Sequence, residues 1–499
     1  MPKLLIFELD GGSWTAIEPL LRAGLLPHIA DLVRRGSRGG LRSVPPLFSP
    51  ALWTTIYTGQ PRERHGVLTF DATSRDVRCR RLWDIAYAQG VPCGVCGSLV
   101  TWPPYDVGGF MIPDIMARDA RTIPPQFAPL QELVVKYPRG QERPGYDLAT
   151  YVRYALGLGQ AGIRLRTLLA LSREVLRAKL LRRPYRDTYW RRALLLQQMY
   201  ADAFLELYHT YRPGLSTYHY HAVDTLSHWY WCWNNHAPQE NRSTSNGGHY
   251  QEVVPAAYQA ADNVLGRLLR AAGPDTTVLV LSDHGFRSSP EPWSRYKGRL
   301  VRWIQVLGLE GEATPTLMAQ QHFLYFRTTS RMQGIAETLR SAHFKENGDP
   351  VLSQVTEREK SLLFLPPRVR GEGLTVVIPN HVELPFEELF ENTGQVNEGV
   401  HAPEGIVILA GPPVRPGIEL REASISDVTP TALALLGLPL ARDMEGHVWT
   451  EALRPEFLKQ HPVSCVETYG GEAGEPALAT YDEEERQALY QRLRDLGYL

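Results

Sequence analysis

The chain is poor in cysteine. Five in 499 residues is a sparse and odd count, which excludes a disulfide-stapled scaffold and fits a reducing compartment. It has no excess of either charge. With 53 Lys+Arg against 54 Asp+Glu the net charge is −1, which argues against nucleic acid as the main partner, because phosphate backbones recruit net basic surfaces. No run of about eighteen apolar residues occurs, so no membrane-spanning helix is expected. Met1, Pro2 and Lys3 lead straight into an apolar strand, without the length or cleavage site of a signal peptide, so the expected location is the cytoplasm. Internal repeats and low-complexity linkers are missing too. What is present is 43% apolar and 21% charged residues, a globular composition. The length calls for two or more domains, or for one core with large insertions.

Short apolar runs that end in polar turns recur along the chain. Leu4-Leu5-Ile6-Phe7 leads to Glu8-Leu9-Asp10-Gly11-Gly12, and Val278-Leu279-Val280-Leu281 to Ser282-Asp283-His284-Gly285. Leu215 to Val223 ends at Asp224, and Gly405 to Ala410 ends at Gly411-Pro412-Pro413. Helical patterns such as Leu26 to Arg35 and Ala256 to Ala272 lie between them. Strands alternating with helices predict an α/β core with a mainly parallel sheet.

Two stretches break the alternation and are expected to be insertions. The reading gives a first core part over 1–144, a helical insertion over 145–210 and core again over 211–290. An α+β insertion, a cap, follows over 291–395, and core over 396–499 ends in a surface helix from Tyr481 to Leu496. Between Arg164 and Arg192 stand ten basic residues against two acidic ones, interleaved with leucines. Such a segment is either a solvated helical face or a peripheral contact with an anionic membrane or a phosphorylated substrate.

Open α/β sheets place their ligands at the C-terminal ends of the strands. There stand Asp10, Asp224 and the pair Asp283-His284. His228 follows Asp224 by four residues, one helical turn, and His401 directly precedes another core strand. Taken singly each is weak, since an Asp after a strand usually caps a turn and a His is usually hydrogen-bonded structure. Three carboxylates and three imidazoles at strand ends together suit two zinc-like ions with nitrogen and oxygen donors. Ser49, before Pro50 and a helical run, reads equally as a helix N-cap or as a hydroxyl nucleophile that a metal would activate. Trp229, in Trp229-Tyr230-Trp231-Cys232-Trp233, either walls a substrate pocket or belongs to a buried aromatic helix. Cys93 and Cys96 form a lone C-x-x-C in a strand entry and read as structural.

These pieces, in this order, resemble the alkaline phosphatase superfamily, in particular its type I phosphodiesterase/nucleotide pyrophosphatase branch with bacterial relatives. The resemblance is carried by Phe7-Glu8-Leu9-Asp10-Gly11, Ser49-Pro50 through Thr58-Gly59, Pro61 to Gly66 and Val100 to Pro104. Further along it is carried by Asp224-Thr225-Leu226-Ser227-His228, Ser282 to Phe286, Gly399-Val400-His401, Asp427 to Thr431 and Asp443 to Gly446. It implies a three-layer α/β/α core and a metal-dependent phosphohydrolase, with a phosphodiesterase favoured. A phosphomonoesterase or phosphotransferase is the alternative, and a non-catalytic binding protein on this fold the remote one. It implies that Asp224, His228 and His401 bind one divalent ion and that Asp10, Asp283 and His284 bind the other. Ser49 would contact the second ion as nucleophile and form a covalent phospho-enzyme. Zinc is the first expectation; the same donors accept manganese or iron. The implied partner is a small phosphate ester or a lipid- or sugar-linked phosphodiester, not nucleic acid. Two departures stand out. Such proteins usually carry Thr as nucleophile and Asn three residues later, where this chain has Ser49 and Leu52. Backbone N–H groups near Ala51 or Gly11-Gly12 are therefore the expected donors to the phosphoryl oxygen.

Overall fold

The computed structural model describes residues 3–136, 148–181, 185–231, 250–288, 296–317, 322–358, 360–367, 371–379, 382–392 and 399–470. The expected closing helix from Tyr481 to Leu496 lies outside them. The chain forms two compact units, the first built from Met1–Val67, Asp71–Ser288 and His401–Tyr481. The second takes in Leu68–Phe70 and Ser289–Val400.

The first unit is organised by an eight-stranded sheet. In chain order its strands are β1 (Lys3–Leu9), β2 (Ser37–Arg42), β3 (Cys93–Cys96), β4 (Phe110–Ile112), β5 (Leu215–Tyr220), β6 (Thr276–Leu281), β7 (Glu404–Ala410) and β8 (Glu419–Leu420). Across the sheet they lie in the order β8-β2-β7-β6-β1-β5-β3-β4. Every neighbouring pair is parallel except the two that β7 makes, with β2 and β6.

Residue alternation along the strands sends side chains to opposite faces, and each face is covered. Leu5, Phe7 and Leu9 join Tyr218, Tyr220, Val280 and Ile408 in one core, while Leu4 and Ile6 join Leu279, Leu281, Val407 and Leu409 in the other. The near-continuous apolar strands follow from this burial on both sides. Helices Trp14–Arg22, Pro27–Arg35 and Val253–Ala272 supply residues to the first core, and Ser49–Thr58, Leu82–Ala88 and Val428–Leu436 to the second.

Three helices fill the stretch read as a helical insertion: Leu148–Gln160, Leu165–Leu181 and Tyr185–Tyr211. The last belongs to the layer on the sheet, since Phe204 packs edge-on against Phe110 and Tyr218 at ring-centroid distances of 5.7 and 5.5 Å. The second unit has a four-stranded antiparallel sheet built around His322–Phe326 and Ser361–Leu365, and a three-stranded one around Thr375–Ile378. Its core includes Trp303, Leu324, Phe364 and Phe390.

The antiparallel run of β7 decides where its start lies. Because β1, β5 and β6 point one way and β7 the other, residues just before β7 stand at the edge where those three strands end. His401, which precedes a strand, thereby joins Asp10, Asp224 and Asp283, which follow strands.

Candidate metal centre

Asp10 ends β1 in a turn whose next residue, Gly11, has φ +67°. A Cβ there would meet the Phe286 ring at 2.9 Å and Asp224 Cα at 3.0 Å, so the turn can close on its neighbours only with glycine. Beyond β5 the chain enters helix Ala222–Tyr230, which carries Asp224 in its first turn and His228 one turn on, both on one face. Asp283 and His284 follow β6 directly. All of these side chains, with Ser49 and His401, are buried or nearly so.

The tightest grouping is Asp224, His228 and His401. His401 Nε2 lies 2.9 Å from His228 Nε2 and 3.3 Å from Asp224 Oδ1, and His228 Nε2 lies 3.4 Å from Asp224 Oδ1. A tetrahedral ion with bonds of ~2.0–2.1 Å holds its donor atoms about 3.3 Å apart, so these three atoms have the spacing of one face of such a shell. The tautomer fits as well. His401 Nδ1 is 3.0 Å from the Leu47 carbonyl, and donation there leaves the Nε2 lone pair for a metal. His284 repeats the device, with Nδ1 3.1 Å from the Gly285 carbonyl.

A second, looser group is Asp10, Asp224 and His284. His284 Nε2 stands 3.7 Å from Asp224 Oδ1, 4.0 Å from Asp10 Oδ1 and 3.5 Å from Asp283 Oδ2. The resemblance implied Asp283 in this group. The structure puts Asp224 in both groups, because its Oδ1 faces the Nε2 atoms of His228, His401 and His284 together, and Asp283 flanks them.

The electrostatics favour a cation. Burial drives the Asp283 carboxyl well above its usual range, and the neighbouring Asp10 adds to it. For Asp224 burial works the same way, but His228 and His401 outweigh it and hold that carboxyl well below its usual range. Burial, with the charge of His401, lowers His284 to about 3, so its imidazole is neutral and in the ligating form. Asp10 and Asp283 have only imidazole nitrogens as ion-pair partners among the described residues. Three buried acidic side chains converging on imidazole nitrogens are a set that divalent ions would hold together and balance, so the donor set fits the group that the sequence pattern implies.

Helix Ser49–Thr58 starts at Ser49, with Phe48 in the capping position and Pro50 second. Phe48 is extended and its carbonyl accepts from Ala51 and Leu52, while no side chain caps the helix. The Ser49 hydroxyl is not used as a cap; its Oγ lies 3.2 Å from His284 Nε2. The expected backbone donors are engaged within the protein. Ala51 N–H points to Phe48, Gly12 N–H to Leu9 at 2.9 Å, and Gly11 N–H at Asp283 Oδ1, 3.5 Å away. Trp229 is half-buried against Tyr189, and Trp231 is buried with its indole N–H on Ser288 Oγ; Trp233 lies outside the described residues. Cys93 and Cys96 are buried free thiols in β3.

Two residues the sequence reading passed over stand behind the site. Glu8 and His219 are register partners on β1 and β5, on the sheet face that carries helix Ser49–Thr58. Glu8 accepts from Tyr57 Oη at 2.9 Å and from Ser98 Oγ at 2.9 Å, and faces His219 Nδ1 at 3.0 Å. His219 Nε2 then lies 3.4 Å from Asp10 Oδ2. Burial opposes charge on His219, but Asp10 and Glu8 raise it to about 9. An acidic residue inside an otherwise apolar strand was the available signal. Glu8→Gln is expected to lower divalent-metal affinity about 10–100-fold, the usual weight of such outer partners. Titration calorimetry on metal-stripped protein checks this, and an unchanged affinity would leave Glu8 a core residue only.

The family model for type I phosphodiesterase / nucleotide pyrophosphatase matches residues 4–361. The chain belongs to that family. It is thus a metal-dependent hydrolase of phosphoric esters, acting on small phosphoesters. Among solved structures, phosphonoacetate hydrolase from Sinorhizobium meliloti 1021, in complex with phosphonoformate, is 14% identical, with 87% of this chain and 96% of that chain covered at a TM-score of 0.49. Human ectonucleotide pyrophosphatase / phosphodiesterase 5 is 12% identical, with 92% and 99% covered at a TM-score of 0.46. No curated protein matches. No helix among the described residues is long and apolar enough to cross a membrane.

Proposed function

We propose that the chain is a phosphodiesterase in which Ser49 is the nucleophile and the two overlapping Asp/His groups hold two divalent ions, zinc by preference. The observation that carries this reading is the Ser49 hydroxyl, which caps nothing and faces His284 Nε2 at 3.2 Å. Asp224, His228 and His401 would hold one ion and Asp10, Asp224 and His284, with Asp283 beside them, the other. When bound, such ions supply Lewis-acid charge to the phosphoryl oxygens and lower the pKa of the attacking hydroxyl.

Ser49 would attack phosphorus in line with the departing alkoxide, making an Oγ–P bond as the leaving P–O bond breaks. Water would then hydrolyse that ester and restore the hydroxyl. The position of Ser49 at the head of a buried helix fixes its Oγ and keeps bulk water away. A diester is favoured because it carries a single charge. Arg62, buried shortly after this helix, donates to the Val44 and Pro46 carbonyls and so braces the loop leading into Ser49. Nucleotide, glycerophospho, sugar- or lipid-linked diesters are the substrate classes to search, and the free thiols of Cys79, Cys93, Cys96 and Cys465 fit the cytoplasm.

The test is turnover of bis-p-nitrophenyl phosphate beside p-nitrophenyl phosphate by metal-replete protein. A marked diester preference is expected; a monoester preference would require a dianion clamp and would turn the assignment to a phosphomonoesterase.

A further inference from the structure

The basic stretch that stands out in the sequence resolves into a helix with two unlike faces. On Leu165–Leu181, Thr167 is buried, its hydroxyl bonded to Asp202 Oδ2 at 2.6 Å, and Leu168 and Leu171 pack against the core of the first unit. These contacts fix which way the helix is turned. The opposite face should then be polar, but it is not. Leu165, Leu169 and Leu176 are 70%, 61% and 58% exposed, and spacings of four and seven residues put them on one stripe. Arg166, Arg173 and Arg177 are exposed along one flank of that stripe. Three leucines in a row facing solvent carry a hydrophobic penalty that an isolated exposed leucine does not.

We propose that this face docks the protein on an anionic lipid bilayer. The pattern has what interfacial binding requires: an apolar stripe to enter the acyl boundary and guanidinium groups beside it, at the level of the headgroup phosphates. The flank of arginines, with only Glu174 as an acidic residue on the helix, complements a surface of negative charge. Among the described residues of 164–192, the exposed leucines and the arginines beside them lie on this helix. Arg191 is laid over the Trp190 ring, and the side chains of Arg182, Arg183 and Arg186 lie outside the described residues. The inference does not depend on which ester the metal centre cleaves.

The experiment is co-sedimentation of the full chain with phosphatidylcholine vesicles, with and without phosphatidylglycerol as about a third of the lipid, at low and high salt. Binding is expected only with the anionic lipid and is expected to fall as salt rises. Leu169→Ser/Leu176→Ser should abolish it, and each of Arg166→Gln and Arg173→Gln should weaken partitioning about fivefold. All four substitutions lie far from the metal ligands in sequence and on an exposed face, so turnover of a soluble diester should be unchanged. Absence of binding to anionic vesicles, equal binding to neutral ones, or full binding by the leucine variant would each overturn the proposal. So would a concentration-dependent dimer, seen by sedimentation velocity, that the leucine variant dissolves in the absence of any lipid binding.

Discussion

Ser49→Ala is expected to cut turnover of bis-p-nitrophenyl phosphate by about 10³- to 10⁶-fold, the range left when an enzyme loses its nucleophile but keeps the rest of its site. Metal stoichiometry and melting temperature should stay near those of the parent. The stability half of this expectation is what separates the two roles a serine can have at a helix start. A capping serine replaced by alanine costs about 1 kcal/mol. Here the helix has no side-chain cap and Phe48 occupies the capping position, so that cost should not appear. Turnover with lowered stability would make Ser49 a structural residue; lost turnover with stability intact makes it the nucleophile. Kinetics on the diester beside a thermal melt decides between them.

Asp224→Asn is expected to have an effect at least as large, for a different reason. Asp224 Oδ1 lies between 3.3 and 3.7 Å from three imidazole nitrogens and belongs to both donor groups. Loss of its charge should weaken both ions, each by more than the ~10²-fold that outer partners command. Elemental analysis after dialysis should then find less than one equivalent of metal where the parent is expected to keep two. Asp10→Asn, which touches one group only, should leave about one. If Asp224→Asn also kept one equivalent, Asp283 rather than Asp224 would complete the second group, as the family pattern implied.

Much of this site is legible in the sequence, because a buried parallel strand is an apolar run and its end is a polar break. Asp10, Asp224, Asp283 and His284 announce themselves in that way, and His228 follows from helical spacing. The sharing of Asp224 is not legible, since it depends on where a helix turn meets a strand edge. Glu8 and His219 are hidden for a related reason: they meet through the register of β1 and β5, which are far apart in the chain. Ser49 shifts by one position, from cap to first helical residue, a difference that depends on the backbone of Phe48. The α/β architecture reads correctly from alternation. The reversed β7 does not, because an apolar run carries no direction, and that reversal is what brings His401 to the ligand edge. Helix Tyr185–Tyr211 looks like a continuation of the helices before it, yet Phe204 seats it on the sheet.

His284 and His401 stack with ring centroids 3.6 Å apart, although most of the second unit intervenes in the chain. The chain between these two proposed ligands therefore starts and ends at neighbouring points of the first unit. Closing a longer loop between fixed ends adds entropy cost only logarithmically. Evolution can accordingly lengthen, shorten or exchange the intervening hundred-odd residues while the donors stay in place. Length between these two points can change without moving the candidate donors.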